Sequence, residues 1–135
     1  MKILMIGLGS IGQRHLRNIK RVYGEEAQIL AYRVRGLKRT FSDTMQIREN
    51  VSLEEEYNIK SFDDLSIALL EKPDIAYITN ITKSHIPCAI ACAKAGCHLF
   101  LEKPISDSLD GIEELAKIAA EKKLKVFVGY QNRFH

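Results

Sequence analysis

"KILMIGLGSIG", residues 2–12, is the stretch that decides the fold. A short apolar run breaks at glycine, as a strand buried on both faces does, and a helical pattern begins immediately afterwards. From Ser10 to Tyr23 the spacing predicts a helix. Ile11, His15, Ile19, Val22 and Tyr23 fall on its apolar face, and Arg14, Arg17, Lys20 and Arg21 on the solvated one. His15 on that face reads as a core histidine whose ring nitrogens are satisfied. Strand, glycine turn and helix in that order supply the context that GxGxxG requires. Gly7 permits the tight turn, Gly9 the close approach of a pyrophosphate, and Gly12 the packing of helix on sheet. The N–H groups of the first helical turn, at Ser10 and Ile11, face an incoming phosphate with a favourable dipole.

Outward from this stretch the chain alternates. "AQILAYRV" (27–34), residues 57–60, "DIAYIT" (74–79), "HLFLE" (98–102) and "KVFVGY" (125–130) read as further strands. Residues 37–49, a stretch starting at the capping-box-like Ser61 and Asp64 and running to Leu70, Ser84 to Ala95, and Leu109 to Lys122 read as helices. The order β-α-β-α-β-α-β-α-β-α-β implies right-handed crossovers. The predicted fold is α/β: a Rossmann-type, doubly wound parallel sheet in three αβα layers, with residues 1–135 as one NAD(P)-binding domain.

The second strand ends at Arg33, where an NAD-preferring site usually carries Asp or Glu about 20 residues past the loop to bind the ribose 2′-OH. Arg33 and Arg35, with Lys38 and Arg39 close by, suit a 2′-phosphate, which guanidinium groups bind in a bidentate, charge-assisted way. NADP is the preferred cofactor, with NAD as the alternative if these arginines are only solvated surface charges.

The bulk numbers narrow the class. The 135 residues are 46% hydrophobic and 27% charged, typical of a soluble globular domain. A net charge of +3 gives no footprint for nucleic acid. Cys88, Cys92 and Cys97, odd in number and without a CxxC pair, read as reduced buried thiols rather than as metal ligands. The apolar N-terminus lacks a cleavage site and no stretch is long enough to span a bilayer, so the expected partners exclude membranes and the expected compartment is the cytoplasm.

With the glycine loop, "NITKSH" (80–85), "FLEKP" (100–104) and "GYQNRF" (129–134) in this order, the chain resembles the N-terminal domain of the Gfo/Idh/MocA oxidoreductases over nearly its whole length. That resemblance implies NAD(P)-dependent hydride transfer at CH–OH groups of sugars, polyols and related hydroxy or keto compounds. It makes Lys103 the catalytic lysine near the nicotinamide, with Glu102, on the cofactor side, and Pro104 shaping the turn that presents it. Asn80, Thr82 and His85 match the loop beneath the cofactor, although Ile81 stands where many members carry proline. His85 reads equally as a helix-start residue satisfying backbone groups. The resemblance further implies an α+β domain after residue 135 that would supply the remaining catalytic groups, the sugar-like substrate's pocket and the pairing face of a homo-oligomer. The chain is therefore expected to be the cofactor-binding part of a longer enzyme, with little turnover alone. The alternative is a nucleotide-sensing or scaffold module without chemistry. A methyltransferase using S-adenosylmethionine also carries a glycine-rich first loop, but Arg33 and EKP argue against it.

Overall fold

The structure, a computed structural model, describes residues 1–131, so Asn132, Arg133 and Phe134 of "GYQNRF" lie outside the described residues. Along the chain run β1 (Lys2–Ile6), α1 (Ser10–Tyr23), β2 (Gln28–Tyr32), β3 (Arg39–Phe41) and β4 (Ile47–Glu49). Then come α2 (Leu53–Tyr57), β5 (Lys60–Phe62), α3 (Leu65–Leu70), β6 (Ile75–Ile78), α4 (His85–Lys94), β7 (His98–Glu102), α5 (Ile112–Glu121) and β8 (Val126–Gly129). Six strands form one sheet in the order β5-β2-β1-β6-β7-β8. Every pairing in it is parallel. This is the predicted doubly wound sheet.

Period-two alternation along β1 explains the layers. Leu4 and Ile6 join Leu30, Ile78, Leu99 and Leu101 beneath α3, α4 and α5. Ile3 and Met5 join Ile29 and Ala31 against Leu16 and Ile19 of α1 and Leu53 of α2. Both faces are covered, which is why the central strands read as unbroken apolar runs. Strand order reverses between β1 and β6, so the loops leaving their carboxyl ends part and open a crevice.

The phase of α1 differs from the sequence expectation. Its buried residues are Gly12, Gln13, Leu16 and Ile19, while Val22 is 72% exposed. Ile11 and Tyr23 are exposed as well. The sheet contact of Gly12 sets the phase: a Cβ there would stand 2.5 Å from the Gly7 carbonyl oxygen. Apolarity alone placed the stripe about one residue out of register.

Residues 37–49 form no helix. They make the antiparallel hairpin β3–β4, with Arg39 opposite Glu49 and Phe41 opposite Ile47. Its turn is closed by Ser42 N–H donating to the Gln46 carbonyl at 2.9 Å and Gln46 N–H donating to Ser42 Oγ at 3.0 Å. Side chains of α1 hold the hairpin down. The fully buried Gln13 donates from Nε2 to the carbonyls of Leu8 at 3.1 Å and Arg39 at 3.0 Å, and its Oε1 accepts from Phe41 N–H at 2.9 Å. Arg17 donates to the Phe41 carbonyl and, at 2.9 Å, to Asp43. These tertiary bonds override a local helical tendency.

Other boundaries move too, and α5 starts at Ile112 rather than at Leu109. The strand expected at 57–60 is β5, and Tyr57 instead ends α2. Ser61 lies inside β5, and Asp64 alone caps α3, accepting from the N–H groups of Ser66 and Ile67. Among the described residues no helix is long and apolar enough to cross a membrane.

Gln13→Leu keeps the volume but leaves the Phe41 N–H without its acceptor. We expect a loss of about 1–3 kcal/mol in urea unfolding, with faster hydrogen exchange at the Phe41 amide. Unchanged exchange would mean that the hairpin is held elsewhere.

Candidate cofactor site

A groove of about 560 Å³ opens at the carboxyl edge where the strand order reverses. The glycine loop forms its floor, the segment after β2 and residues Arg39 and Phe41 form one wall, and Thr79, Asn80 and Ile81 form the other. The floor is set by backbone proximity. Gly7 sits at φ +88°, and a Cβ on it would meet Asn80 Cα at 2.9 Å. Its N–H donates to the Tyr32 carbonyl at 3.1 Å, and its carbonyl accepts from Thr79 Oγ1 at 2.8 Å. These bonds stitch the loop to β2 and β6.

The residues fit a dinucleotide on three counts. Helix α1 starts at Gly9 with no side-chain cap and no acidic residue in its first turn, leaving its N–H groups and dipole for an anion. A Cβ at Gly9 would meet nothing within 4 Å, so the floor there is open to a close-approaching group. Asn80 Oδ1 is buried with no hydrogen-bond partner, while its Nδ2 donates to Cys88 Sγ at 3.4 Å. A buried acceptor at the wall suits a ligand hydroxyl. NAD(P) carries both phosphates and hydroxyls.

Gly7, Gly9, Ser10, Ile11, Arg33, Arg35 and Asn80 all line this groove. Gly12 lies behind the floor, packed on Gly7 and Thr79. Thr82 opens the 3-10 turn before α4, outside the lining. The ring of His85 is buried, with Nδ1 3.0 Å from the Pro104 carbonyl oxygen and Nε2 3.0 Å from that of Asn80. The ring thus faces backbone carbonyls on both sides, and a neutral imidazole, with one N–H, donates to one of the two. Arg33 differs from its expected free state. Its side chain is 8% exposed, ion-paired with Glu54, and donates from Nη2 to the Leu37 carbonyl at 2.6 Å. Arg35 is exposed and has no hydrogen bond or ion pair among the described residues.

The EKP turn leaves β7 two strands from β1. Glu102 is 9% exposed. Its Oε1 lies 2.6 Å from Nε2 of His15, and its Oε2 accepts from the Lys103 N–H at 3.2 Å. His15 thus has a carboxylate partner at Nε2, and its ring is partly exposed rather than set in the core as expected. The Lys103–Pro104 peptide is cis. The Lys103 side chain is exposed and does not line the groove. Sequence reasoning missed Gln13 and the partner of His15, because no local periodicity marks contacts 26 and 87 residues away.

Sheet order, glycine floor and open helix terminus together define a dinucleotide-binding domain. The sequence model of the oxidoreductase family described as an NAD-binding Rossmann fold, Gfo/Idh/MocA, matches residues 1–130. The chain belongs to that family, as its motifs implied. It is 29% identical to myo-inositol 2-dehydrogenase of Thermotoga maritima over 99% of its own length and 37% of that protein's. It is 30% identical to 4-carboxy-2-hydroxymuconate-6-semialdehyde dehydrogenase of a Sphingobium species, over 100% of this chain and 40% of that protein. Its fold superposes with a TM-score of 0.76, at 25% identity, on scyllo-inositol dehydrogenase from Lactobacillus casei solved with NAD(H) and scyllo-inositol, covering 100% of this chain and 37% of the other. The chain thus spans about 40% of the length of the curated relatives it matches.

Two measurements check this geometry. Gly12→Ala drives a methyl into backbone and should cost about 1–3 kcal/mol of stability; a neutral result would show that α1 can shift. Burial pushes the Glu54 carboxyl up, but the Ser61 hydroxyl, its own backbone N–H and Arg33 together hold it below its ordinary value. Its contribution is therefore present above the unfolded carboxyl pKa of about 4.3 and lost as pH falls through the lower folded value. The stability gap between the parent and Glu54→Gln should be largest near neutrality and shrink on acidification below pH ~4. A gap independent of pH would refute the pairing.

Proposed function

We propose that the groove takes NADP in preference to NAD, and that in the whole protein Lys103 moves the proton of a sugar or polyol hydroxyl, or of the matching ketone, during hydride transfer. One observation carries the cofactor half: an uncapped helix start, an open Gly9 and an orphaned Asn80 acceptor share a single groove. Support for NADP comes from charge. Arg33, Arg35 and Arg39 line the groove, and among the described residues no Asp or Glu does. With Arg33 committed to Glu54, Arg35 and Arg39 are the cations left for a 2′-phosphate.

Bound there, the nicotinamide supplies hydride acceptance or donation. The chain's own residues bind and orient. The first turn of α1 holds the pyrophosphate, and Asn80 accepts a hydroxyl. Lys103, at the ligand-binding edge of the sheet, takes the hydroxyl proton in oxidation and returns it in reduction, stabilising charge on the oxygen. The substrate class is supported by the dehydrogenases of inositols among the relatives. The nucleotide-sensing reading is favoured by one fact, that Lys103 stands outside the groove lining.

Titration of this chain should give tighter binding of NADP than of NAD. Equal affinities would overturn the preference, and binding of neither would overturn the cofactor reading. In the protein at the full length of its relatives, NADPH oxidation with keto-inositols and keto sugars should fall about 100-fold or more in Lys103→Ala. A parent that turns over none of them, or a variant that matches it, leaves the sensing module standing.

A further inference from the structure

The ammonium of Lys103 touches no partner among the described residues, so its place is set by the backbone of the turn that carries it. A group that transfers a proton must be held near its productive geometry by what surrounds it. Beyond the β7 ladder, two side chains meet that backbone, Glu102 and His85, and a second histidine, His15, holds the first of them. From α1, His15 meets Glu102 Oε1 at 2.6 Å, while the other oxygen of that carboxylate accepts the Lys103 N–H at 3.2 Å. From α4, His85 meets the Pro104 carbonyl at 3.0 Å.

Each histidine also belongs to the groove side. His15 lies in the helix whose first turn forms the groove floor. The second ring nitrogen of His85 faces the carbonyl of Asn80, the residue carrying the orphaned acceptor. The setting of His15 is rigid: its ring packs edge-on against Phe100 at 4.9 Å and tilted against Tyr77 at 5.7 Å. Room for this cluster comes from Gly129, opposite Glu102 on β8, where a Cβ would press on Phe100 Cζ at 2.9 Å.

We propose that His15, through Glu102, and His85, through Pro104, are positioning residues that fix the Lys103 turn against the nucleotide groove. The inference rests on the cofactor and Lys103 reading above. Loss of the His15 donor leaves a buried carboxylate without its partner, and the turn shifts to find water. Cofactor binding survives, because the groove floor is stitched by backbone and Thr79.

The test uses His15→Leu and His15→Gln in the full-length protein, the second keeping an N–H donor for Glu102. In His15→Leu we expect kcat to fall by about 10-fold or more with KM for NADP within about twofold, and faster exchange at the Lys103 amide. His15→Gln should recover most of both. Slow exchange and an unaltered kcat in His15→Leu would overturn the inference. So would a His15→Gln as impaired as His15→Leu, or a loss appearing in KM for NADP alone. Should the parent prove inactive with every substrate while the Lys103 amide responds as stated, the enzymatic reading fails and the placement of the turn by His15 stands.

Discussion

The carbonyl of Gly7 accepts the Thr79 hydroxyl at 2.8 Å and lies where a side chain on Gly12 would have to be. Three elements, β1, α1 and β6, meet at this one oxygen, and the arrangement of the carboxyl edge depends on how closely they meet there. A helix held further off would carry its free N–H groups away from the crevice and draw His15 off Glu102. Hydrophobic burial brings α1 to the sheet through Leu16 and Ile19, but it has no direction. The steric fit at Gly12 and the bond from Thr79 supply the direction.

Around this contact polar side chains are used economically. Gln13 is fully buried and meets two carbonyls and an N–H. Glu102 is nearly buried and has a partner for each oxygen. Asn80 Oδ1 stands out against this background as the one buried side-chain oxygen or nitrogen without a partner among the described residues. In a protein that satisfies its interior so fully, an open acceptor on a groove wall marks where something else binds.

Much of this was legible in the sequence because it is local. The glycine loop, the apolar strands and the acid–lysine–proline step at the end of β7 each fall within a dozen residues, and the strand–helix alternation implied a parallel, doubly wound sheet. The phase of α1 was misread because the apolar pattern was followed, although Gly12, read as the helix–sheet contact, shares the buried face with Leu16 and Ile19. Arg33 looked like a free cation because its partner, Glu54, lies 21 residues on, in a short helix that no periodicity announced. The stretch 37–49 misread for the same reason. Its backbone groups find their partners on α1, and nothing within the stretch says so.

The attachment of the β3–β4 hairpin has a thermodynamic side. Thr40 is its one buried residue, while Met45 and Ile47 are 60% and 52% exposed, so hydrogen bonds and ion pairs rather than apolar area hold it. Detaching it uncovers little hydrocarbon. Such an opening carries a small heat-capacity change and a shallow denaturant dependence, in contrast to the cooperative loss of the sheet. The part of the groove wall that Arg39 and Phe41 form thus rests on directional polar bonds rather than on buried hydrocarbon.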